Sequence, residues 1–290
     1  MRVLIIGCGY VGSALGQELV SQGHEVIGIV RSEKSALEIR NLGIKPRIAD
    51  CTTEEGARQA CQGGAEVVVL ALSSGGSDYR KTYVEGMQHV LAALKKEPPR
   101  IFFYTSSTSV YAQTDDGWVT ESSPTEPPHE NGKLLLEAES LLQKAASGCF
   151  KTFILRLSGI YGPGRHAILD KLRGGTETLP GDGKRWINQI HRDDIAQAIH
   201  FLRKSEIRNL KSEILNVSDN TPVLQGDYVA WLCQKLGCPL PRYLGEGSTL
   251  HRRGREGFQS HRRISNRALC ELGWEPRYPS YREGLLRLLR

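Results

Sequence analysis

Short, nearly continuous apolar runs alternate with segments of helical spacing through the first 160 residues of the chain. Strands are predicted where the apolar runs lie, at residues 3–6, 25–30, 46–49, 66–71, 100–105 and 152–157. Helices are predicted between them, most clearly at residues 11–21, 79–94 and 133–144. Because these strands lack polar alternation, helices are expected to cover both faces of the sheet. The pattern predicts an α/β fold with a doubly wound parallel sheet.

The pattern changes near residue 160, where glycine-rich turns begin to separate short elements. These turns lie at residues 162–164, 174–175 and 181–183. We therefore predict a sheet domain at residues 1–160 and a smaller mixed lobe at residues 161–290, from which segments such as 214–217 return to the main sheet. Residues 113–129 are rich in Asp, Ser, Thr and Pro, so they are predicted to form a long loop of the kind that often acts as a lid.

The chain has 290 residues, of which 39% are hydrophobic and 24% charged, as in an ordinary globular protein. No apolar run approaches the roughly 20 residues of a membrane-spanning helix, and the apolar start continues into glycines without a cleavage site. We therefore expect a cytoplasmic protein without a membrane span. The seven cysteines are odd in number and lack zinc-type spacing, so we expect reduced thiols and no metal site.

The net charge is +6, and much of the positive surplus is local. Between residues 251 and 263 the sequence has one acid, Glu256, and five arginines: Arg252, Arg253, Arg255, Arg262 and Arg263. This concentration favours a site for an anionic small molecule; the alternative is a solvated basic loop. No nucleic-acid surface is expected, because Phe258 is the only aromatic residue in this stretch and the sequence has no recognition motif.

The first predicted strand continues into a GxGxxG string, Gly7-Cys8-Gly9-Tyr10-Val11-Gly12. The string follows a strand and opens a helix within a βαβ unit of about 30 residues, which is the context of a dinucleotide-binding motif. Its glycines permit the tight turn, the approach of backbone to a diphosphate and the close packing of helix on strand. We therefore predict a Rossmann domain at residues 1–160, with these six residues at the cofactor, and a substrate-binding lobe at residues 161–290.

The end of the second predicted strand indicates which dinucleotide binds. An NAD site usually has an acidic residue there for the ribose hydroxyl, whereas an NADP site has an arginine for the extra phosphate. Here Arg31 and Ser32 follow the strand, and Lys34 is close by. A guanidinium and a hydroxyl suit a phosphate, so NADP(H) is preferred. NAD(H) is the alternative, because Glu33 lies nearby in the next predicted helix.

Further cofactor contacts are expected beyond the carboxyl ends of the next strands, where ligands bind in open α/β sheets. Asp50 follows the third strand and is predicted to meet the adenine. Ala71, Leu72 and Ser73 follow the fourth strand and are predicted to border the adenosine ribose and the cofactor backbone.

Several longer segments carry a resemblance to a known family. They are YVEGMQHVL at 83–91, YTSSTSVY at 104–111, LRLSGIYGPGR at 155–165, IHRDDIA at 190–196 and LGWEP at 272–276. With the glycine motif, they resemble the extended short-chain dehydrogenase/reductase family, which includes nucleotide-sugar epimerases and dehydratases. The chain is most similar to the family's atypical, NAD(P)-dependent epimerase/dehydratase-like members, and the resemblance extends from residue 3 to about residue 289.

The chemistry of that family uses a Ser or Thr together with a Tyr and a Lys spaced YxxxK on one helix. The resemblance implies catalytic roles for Ser107 and Lys133, and it implies that Lys133 also binds the nicotinamide ribose. His129 stands at the tyrosine position. Imidazole groups exchange protons near neutral pH, so His129 is one candidate for the missing phenol, and an exposed structural histidine is the alternative. Tyr111 is the other candidate, as proton donor, substrate-stacking residue or wall of the pocket.

The same resemblance implies binding roles for residues near the lobe. Ser158 and Gly159 are expected on the nicotinamide side of the cofactor. Tyr161 is expected to bind the substrate. Because guanidinium groups bind phosphates in bidentate fashion, Arg165, Arg252, Arg253 and Arg255 are also expected to bind it, and surface salt bridges are the alternative.

These expectations define two classes of function. The first is an NADP(H)-dependent oxidoreductase or epimerase-type enzyme that acts on a phosphorylated or nucleotide-linked, sugar-like substrate. The second is an NADP(H)-binding protein with weak or no catalysis, which serves as a redox-sensing or assembly partner because His129 replaces the family's tyrosine. The resemblance also implies a homodimer formed through the helices at residues 79–94 and 133–144.

Overall fold

The computed structural model describes residues 1–76, 78–147, 149–204, 213–245 and 261–289. Its strands are β1 (Arg2–Ile6), β2 (Glu25–Val30), β3 (Lys45–Ile48), β4 (Val67–Leu70), β5 (Ile101–Ser107), β6 (Trp118–Val119), β7 (Lys151–Leu157), β8 (Gly159–Tyr161), β9 (Thr178–Leu179), β10 (Trp186–Ile187), β11 (Gln189–His191), β12 (Glu213–Val217), β13 (Val223–Leu224), β14 (Arg242–Tyr243) and β15 (Arg263–Ile264). Its α-helices are α1 (Tyr10–Ser21), α2 (Glu33–Arg40), α3 (Glu54–Cys61), α4 (Gly86–Leu94), α5 (Glu130–Ala146), α6 (Ala167–Arg173), α7 (Arg192–Lys204), α8 (Gln225–Leu236), α9 (Arg267–Glu271) and α10 (Tyr281–Leu286).

Seven of these strands form one parallel sheet in the order β12-β7-β5-β4-β1-β2-β3. The chain builds outwards from β1 through β2 to β3, and it then crosses to the other side of β1 to begin the second half at β4. Connections that leave the carboxyl ends of β1 and β4 therefore diverge, which opens a crevice between them. The doubly wound α/β fold that the sequence predicts is confirmed.

Helices cover both faces of the sheet, because successive residues of a strand point to opposite sides. On one face, Val3 and Ile5 of β1 belong to an apolar cluster with Leu15 of α1. On the other face, Leu4 belongs to a second cluster with Met87 of α4. No helix in the described segments is long and apolar enough to cross a membrane.

The chain after β7 forms a smaller lobe with its own apolar core. Helices α6, α8 and α10 contribute to this core, in which Tyr161, Tyr228 and Tyr281 are buried. Short strand pairs complete the lobe: β10 with β13, β11 with β8 and β14 with β9. The lobe is formed by stretches of chain before and after β12. Strand β12 itself belongs to the main sheet, where it pairs in parallel with β7. Lobe and sheet are therefore interleaved along the sequence.

Three elements differ from the expected boundaries. A π-helical turn at Lys81–Glu85 precedes α4, so the predicted helix at 79–94 is not regular throughout. Helix α5 begins at Glu130, earlier than the predicted residue 133. The predicted loop at 113–129 contains β6, which pairs with β15 from the lobe. A two-residue strand with a distant partner leaves no periodic pattern in the sequence, which explains the last difference.

A buried ion pair ties helix α5 to the sheet. Arg156 of β7 donates hydrogen bonds of 3.2 and 2.7 Å to the carboxylate of Glu139. The hydroxyl of Ser106 donates to the same carboxylate at 2.6 Å. Arg156 also donates to the hydroxyl of Tyr111 at 3.0 Å, and that hydroxyl donates to Asn216 at 2.8 Å. All five side chains are buried, so loss of one charge leaves the other uncompensated.

Glu139→Ala is therefore expected to lower the free energy of unfolding by about 3–5 kcal/mol, measured by urea denaturation. The matched control is Glu137→Ala on the same helix, which removes an exposed pair with Arg80 and is expected to change stability little. Equal effects of the two substitutions would show that the buried network does not stabilise the fold.

Candidate functional site

The glycine motif lies at the crevice between β1 and β4, and close packing explains two of its glycines. Gly7 has a φ of +86°, in the left-handed region that favours glycine. A Cβ at Gly7 would lie 2.6 Å from the carbonyl oxygen of Ala71. A Cβ at Gly12 would lie 2.9 Å from the carbonyl oxygen of Gly7 and 2.9 Å from a methyl group of Ile5. A side chain at either position would separate the loop or α1 from the sheet.

Gly9 differs from these two glycines, because nothing lies within 4 Å of a Cβ built on it. The first helical hydrogen bond of α1 runs from the N–H of Ser13 to the carbonyl of Gly9 at 2.8 Å. The N–H groups of Tyr10, Val11 and Gly12 therefore have no acceptor within the helix. Open space, three N–H groups and the positive end of the helix dipole coincide here, which fits the diphosphate of a dinucleotide.

Cys8 supports the loop from inside the protein. Its thiol is buried, and a Cβ at Gly28 of β2 would lie 2.8 Å from the sulfur. Burial raises the pKa of this thiol to about 12. The N–H of Cys8 donates to the carbonyl of Ile29 at 2.9 Å. The side chain of Cys8 therefore belongs to the core and its N–H is bonded to strand β2, so the predicted contact of Cys8 with the cofactor stays a prediction.

The residues predicted for the adenosine side follow β2 and are exposed. A guanidinium nitrogen of Arg31 lies 3.8 Å from the position of a Cβ on Gly75, so this side chain reaches towards the segment that follows β4. The hydroxyl oxygen of Ser32 caps α2 by accepting the N–H of Ser35 at 3.3 Å. Lys34 is exposed in the first turn of the same helix. Two positive charges thus stand at this end of the crevice.

Asp50 follows β3 and brings a negative charge close to Arg31. Its Oδ1 accepts the N–H of Thr52 at 3.0 Å and the hydroxyl of Thr52 at 2.8 Å. Burial alone would raise the pKa of Asp50, but these hydrogen bonds and the charge of Arg31 outweigh it, and the pKa is lowered. An ionised carboxylate therefore shares this region with Arg31.

Residues 71–73 line the other side of the crevice. The carbonyl of Ala71 contacts Gly7, as described above. A methyl group of Leu72 lies 3.3 Å from the position of a Cβ on Gly86, and Ser73 is exposed.

Ser107 ends β5, and its register brings it beside the predicted nicotinamide-side residues. It pairs with Leu157, the residue before Ser158 and Gly159. The oxygen of Ser107 accepts the N–H of Ser109 at 3.1 Å, which leaves the hydroxyl hydrogen to donate elsewhere. The side chain is half-buried.

Ser158 and Gly159 both use their N–H groups within the protein. Ser158 is buried and donates to the carbonyl of Val217 at 3.0 Å. Gly159 is exposed and donates to the carbonyl of Asn188 at 3.0 Å. Any contact of Gly159 with a cofactor would therefore use its exposed surface and not its N–H.

The start of α5 packs against the turn that follows Ser107. Gly132 permits this approach, since a Cβ there would lie 3.0 Å from the carbonyl oxygen of Ser109 and closer still to Pro127. The candidate catalytic serine and the first turn of α5 are therefore brought together.

The residues at the family's tyrosine and lysine positions, at the start of α5, differ in exposure. His129 immediately precedes the helix, is half-buried and makes no capping hydrogen bond with its side chain. Lys133 is exposed, and its ammonium nitrogen lies 3.9 Å from a carboxylate oxygen of Glu130.

Two tyrosines predicted at the site lie in apolar cores instead. Tyr111 is fully buried, and its hydroxyl is bound to Arg156 and Asn216. Tyr161 lies in the lobe core, edge-on to His191 with ring centres 5.1 Å apart. Burial raises the pKa of both phenols. The predicted roles of Tyr111 as proton donor and Tyr161 as substrate ligand are corrected, because neither ring is accessible to a substrate.

Arg165 is exposed after β8, and it lies near the glycine loop. Its guanidinium carbon is 5.4 Å from the ring centre of Tyr10, and that of Arg192 is 5.0 Å from the same ring. Sequence reasoning missed Arg192. The available signal was its position directly after a strand, at a carboxyl end where ligands bind.

The predicted basic cluster divides into two parts. Three of its members lie outside the described residues: Arg252, Arg253 and Arg255. Arg262 is buried and donates to the carbonyl of Thr108 at 2.9 Å. The guanidinium carbon of Arg263 lies 5.2 Å from the ring centres of both Trp118 and Trp186. These two arginines hold the segment after β5 against the lobe.

A glycine loop of this geometry at the switch point of a doubly wound sheet defines a Rossmann-type dinucleotide-binding protein. The NAD dependent epimerase/dehydratase family matches residues 3–218. The chain belongs to this family of NAD(P)-dependent oxidoreductases and epimerases, and a nicotinamide dinucleotide is its cofactor class. The family resemblance found in the sequence is confirmed.

Related proteins match nearly the whole chain. YeeZ from Escherichia coli strain K12 is 28% identical over 286 residues, which covers 96% of this chain and 96% of YeeZ. A Methylobacillus flagellatus protein named as an NAD-dependent epimerase/dehydratase is 32% identical, with a TM-score of 0.79 over 99% of this chain and 97% of that one. The dTDP-glucose 4,6-dehydratase DesIV from Streptomyces venezuelae, a double mutant with NAD bound, has a TM-score of 0.84 at 21% identity. That match covers 100% of this chain and 96% of DesIV and shows the shared fold.

Gly9→Ala is expected to weaken binding without weakening the fold. The added methyl group meets no protein atom, but it occupies the approach of the diphosphate, so NADPH affinity should fall at least about tenfold. Fluorescence titration with NADPH and a thermal melt measure the two effects. Gly7→Ala is the comparison, and it should lower Tm because its Cβ meets Ala71. Wild-type affinity in Gly9→Ala would contradict the assignment of this loop.

Proposed function

We propose that the protein is an NADP(H)-dependent oxidoreductase or epimerase-type enzyme that acts on a phosphorylated or nucleotide-linked, sugar-like substrate. The observation that carries the proposal is the packing of Ser107 and the start of α5 at the same sheet edge as a loop that fits a dinucleotide. When bound, the cofactor supplies or accepts a hydride at its nicotinamide ring. The protein must then hold the substrate oxygen and move one proton.

The preference for NADP(H) is supported by Arg31 and Lys34. A planar guanidinium is able to bind a 2′-phosphate in bidentate fashion, and the nearby lysine adds a second positive charge. Glu33 and the ionised carboxylate of Asp50 are the features that favour NAD(H), because negative charges would repel a phosphate bound at Arg31.

Ser107 is proposed to hold the substrate oxygen. Its own oxygen already accepts the N–H of Ser109, so its hydrogen is available to donate to a carbonyl or alkoxide. Helix α5 begins against this turn, and the positive end of its dipole stabilises negative charge that develops there.

His129 is proposed to exchange the proton, and Lys133 to bind the nicotinamide ribose. His129 immediately precedes α5 and Lys133 lies in the first turn of that helix, so both side chains start from the same end of α5. An imidazole then takes the part that a phenol plays in the family, since imidazole groups exchange protons near neutral pH.

The substrate class is supported by charge and by relatives. The net charge of +6 and the arginines at 252, 253 and 255 favour an anionic substrate. DesIV, which shares the fold, is named for a nucleotide-linked sugar. The proposed enzyme is cytoplasmic and a homodimer through the helical segments at residues 79–94 and 133–144, where Tyr83, Leu91 and Leu141 are half-buried. Sedimentation at the monomer mass would exclude the dimer.

A second candidate function is an NADP(H)-binding protein with little or no catalysis, which senses redox state or assembles with a partner. The observation that favours it is the burial of Tyr111 and Tyr161, which leaves no phenol from the neighbouring sequence to replace the family's tyrosine. This candidate requires tight NADPH binding and no substrate turnover.

Arg31→Ala is expected to lower NADPH affinity at least about tenfold, because a charged hydrogen bond to the 2′-phosphate is lost. NADH affinity should stay unchanged, since NADH lacks that phosphate. Isothermal titration with both coenzymes measures the difference, and Arg40→Ala at the other end of α2 is the control. Equal losses for the two coenzymes, or none, would contradict the NADP(H) preference.

Hydride transfer from deuterated NADPH to nucleotide-sugar and keto substrates tests the catalytic proposal. Deuterium is expected in the product, and Ser107→Ala or His129→Phe should lower kcat by about 10²–10⁴-fold with unchanged NADPH affinity. Ser140→Ala, further along α5, is the control. Full activity in both variants would reject these roles, and tight NADPH binding without deuterium transfer would favour the second candidate.

A further inference from the structure

The first residue of α1 is in contact with two guanidinium groups, one from the turn after β8 and one from the first residue of α7. Arg165 and Arg192 lie 5.4 and 5.0 Å from the ring centre of Tyr10, within the range of a cation–π contact. Tyr10 belongs to the glycine motif, and its N–H is one of the three that fit a diphosphate. The two arginines therefore contact a residue of the glycine motif, although they come from a different part of the chain.

The turn that carries Arg165 is fitted closely to Tyr10. A Cβ at Gly162 would lie 2.8 Å from the hydroxyl oxygen of Tyr10 and 3.3 Å from the Cβ of Arg192. Gly162 has a φ of +147°, which glycine tolerates best. The N–H of Gly162 donates to the carbonyl of Arg165 at 3.2 Å, and the N–H of Arg165 donates to the carbonyl of Gly162 at 3.0 Å. This bridge turns the chain back, so that the guanidinium of Arg165 comes to lie over the ring.

The local charge favours an anion. Burial raises the pKa of the Tyr10 hydroxyl, while Arg192 and Arg165 oppose this effect and Asp193 adds to it. Two positive charges and one negative charge therefore act at this point. The negative charge is Asp193, which accepts a hydrogen bond of 3.0 Å from Arg192. A dinucleotide diphosphate carries two negative charges, for which helix N–H groups offer only partial positive charges.

We propose that Arg165 and Arg192 form a cationic clamp that binds the diphosphate of the cofactor from the side of the β8 turn and α7. The clamp rests on the dinucleotide site proposed above and adds two full positive charges to that site. The geometry favours the cofactor diphosphate over a substrate phosphate, because both guanidinium groups contact a residue of the glycine motif. Guanidinium groups also present paired donors that match phosphate oxygens. The clamp thus gives Arg165 a cofactor role in place of the predicted substrate role.

The test compares three ligands that differ in which phosphate groups they carry. NADPH has both the diphosphate and the 2′-phosphate, ADP-ribose has only the diphosphate, and adenosine 2′-monophosphate has only the 2′-phosphate. Isothermal titration of Arg165→Ala and Arg192→Ala should show NADPH and ADP-ribose weakened about tenfold or more, with adenosine 2′-monophosphate unchanged. Arg267→Ala, which removes an arginine paired with Glu271 on exposed helix α9, is the control and should bind all three as wild type.

The outcomes are distinguishable. Wild-type affinity of both variants for NADPH and ADP-ribose would overturn the clamp and leave the dinucleotide site intact. Equal weakening of adenosine 2′-monophosphate, or a lowered Tm in both variants, would show a general disturbance of the fold and would also overturn it. Failure of the wild-type protein to bind any dinucleotide would reject the proposed function, and the clamp with it.

Discussion

The N–H groups at the start of α1 lack helical acceptors, and they lie where two halves of a sheet diverge. Their position depends on contacts that only glycine permits: Gly7 against Ala71, and Gly12 against the strand that precedes it. In a parallel sheet, the helices that follow the strands all begin at the same edge. Helix α5 begins there against the turn after Ser107, and α7 begins at Arg192, whose guanidinium group lies over the ring of Tyr10. The candidate site is therefore formed by several helix N-termini at one edge, with no metal-binding group found in the described part of the chain.

The lobe contributes to this edge through specific contacts and not merely by proximity. Arg262 donates to the carbonyl of Thr108, the residue after Ser107. The side-chain amide of Asn188 donates to the backbone carbonyl of Arg262 at 2.9 Å, and the backbone carbonyl of Asn188 accepts the N–H of Gly159. The turn after Ser107, the segment after β7 and the last part of the chain are thus joined by hydrogen bonds, so a substrate would meet groups held in fixed relation to the cofactor loop.

Local patterns in the sequence were sufficient for the sheet and for the dinucleotide loop. Continuous apolar runs predict covered strands, and the glycine spacing predicts the approach of backbone to a phosphate. The roles of Tyr111, Tyr161 and Cys8 were not predictable, because they depend on Asn216, His191 and Gly28, which are distant in sequence. Arg262 and Arg263 belong to one charge run with Arg252, yet they serve to hold a loop. Charge along a chain does not reveal which arginines face a ligand.

The interleaving of sheet and lobe has a consequence for how the polypeptide is made. Strand β12 covers the edge of β7, but the ribosome synthesises α6 and α7 before it reaches Glu213. Until then the nascent chain presents the backbone of β7 as an unprotected edge, and such edges recruit other strands. Residues 213–217 therefore protect β7 once they are made, and β12 becomes the edge strand of the finished sheet. A fragment that ended near residue 160 would lack that protection permanently.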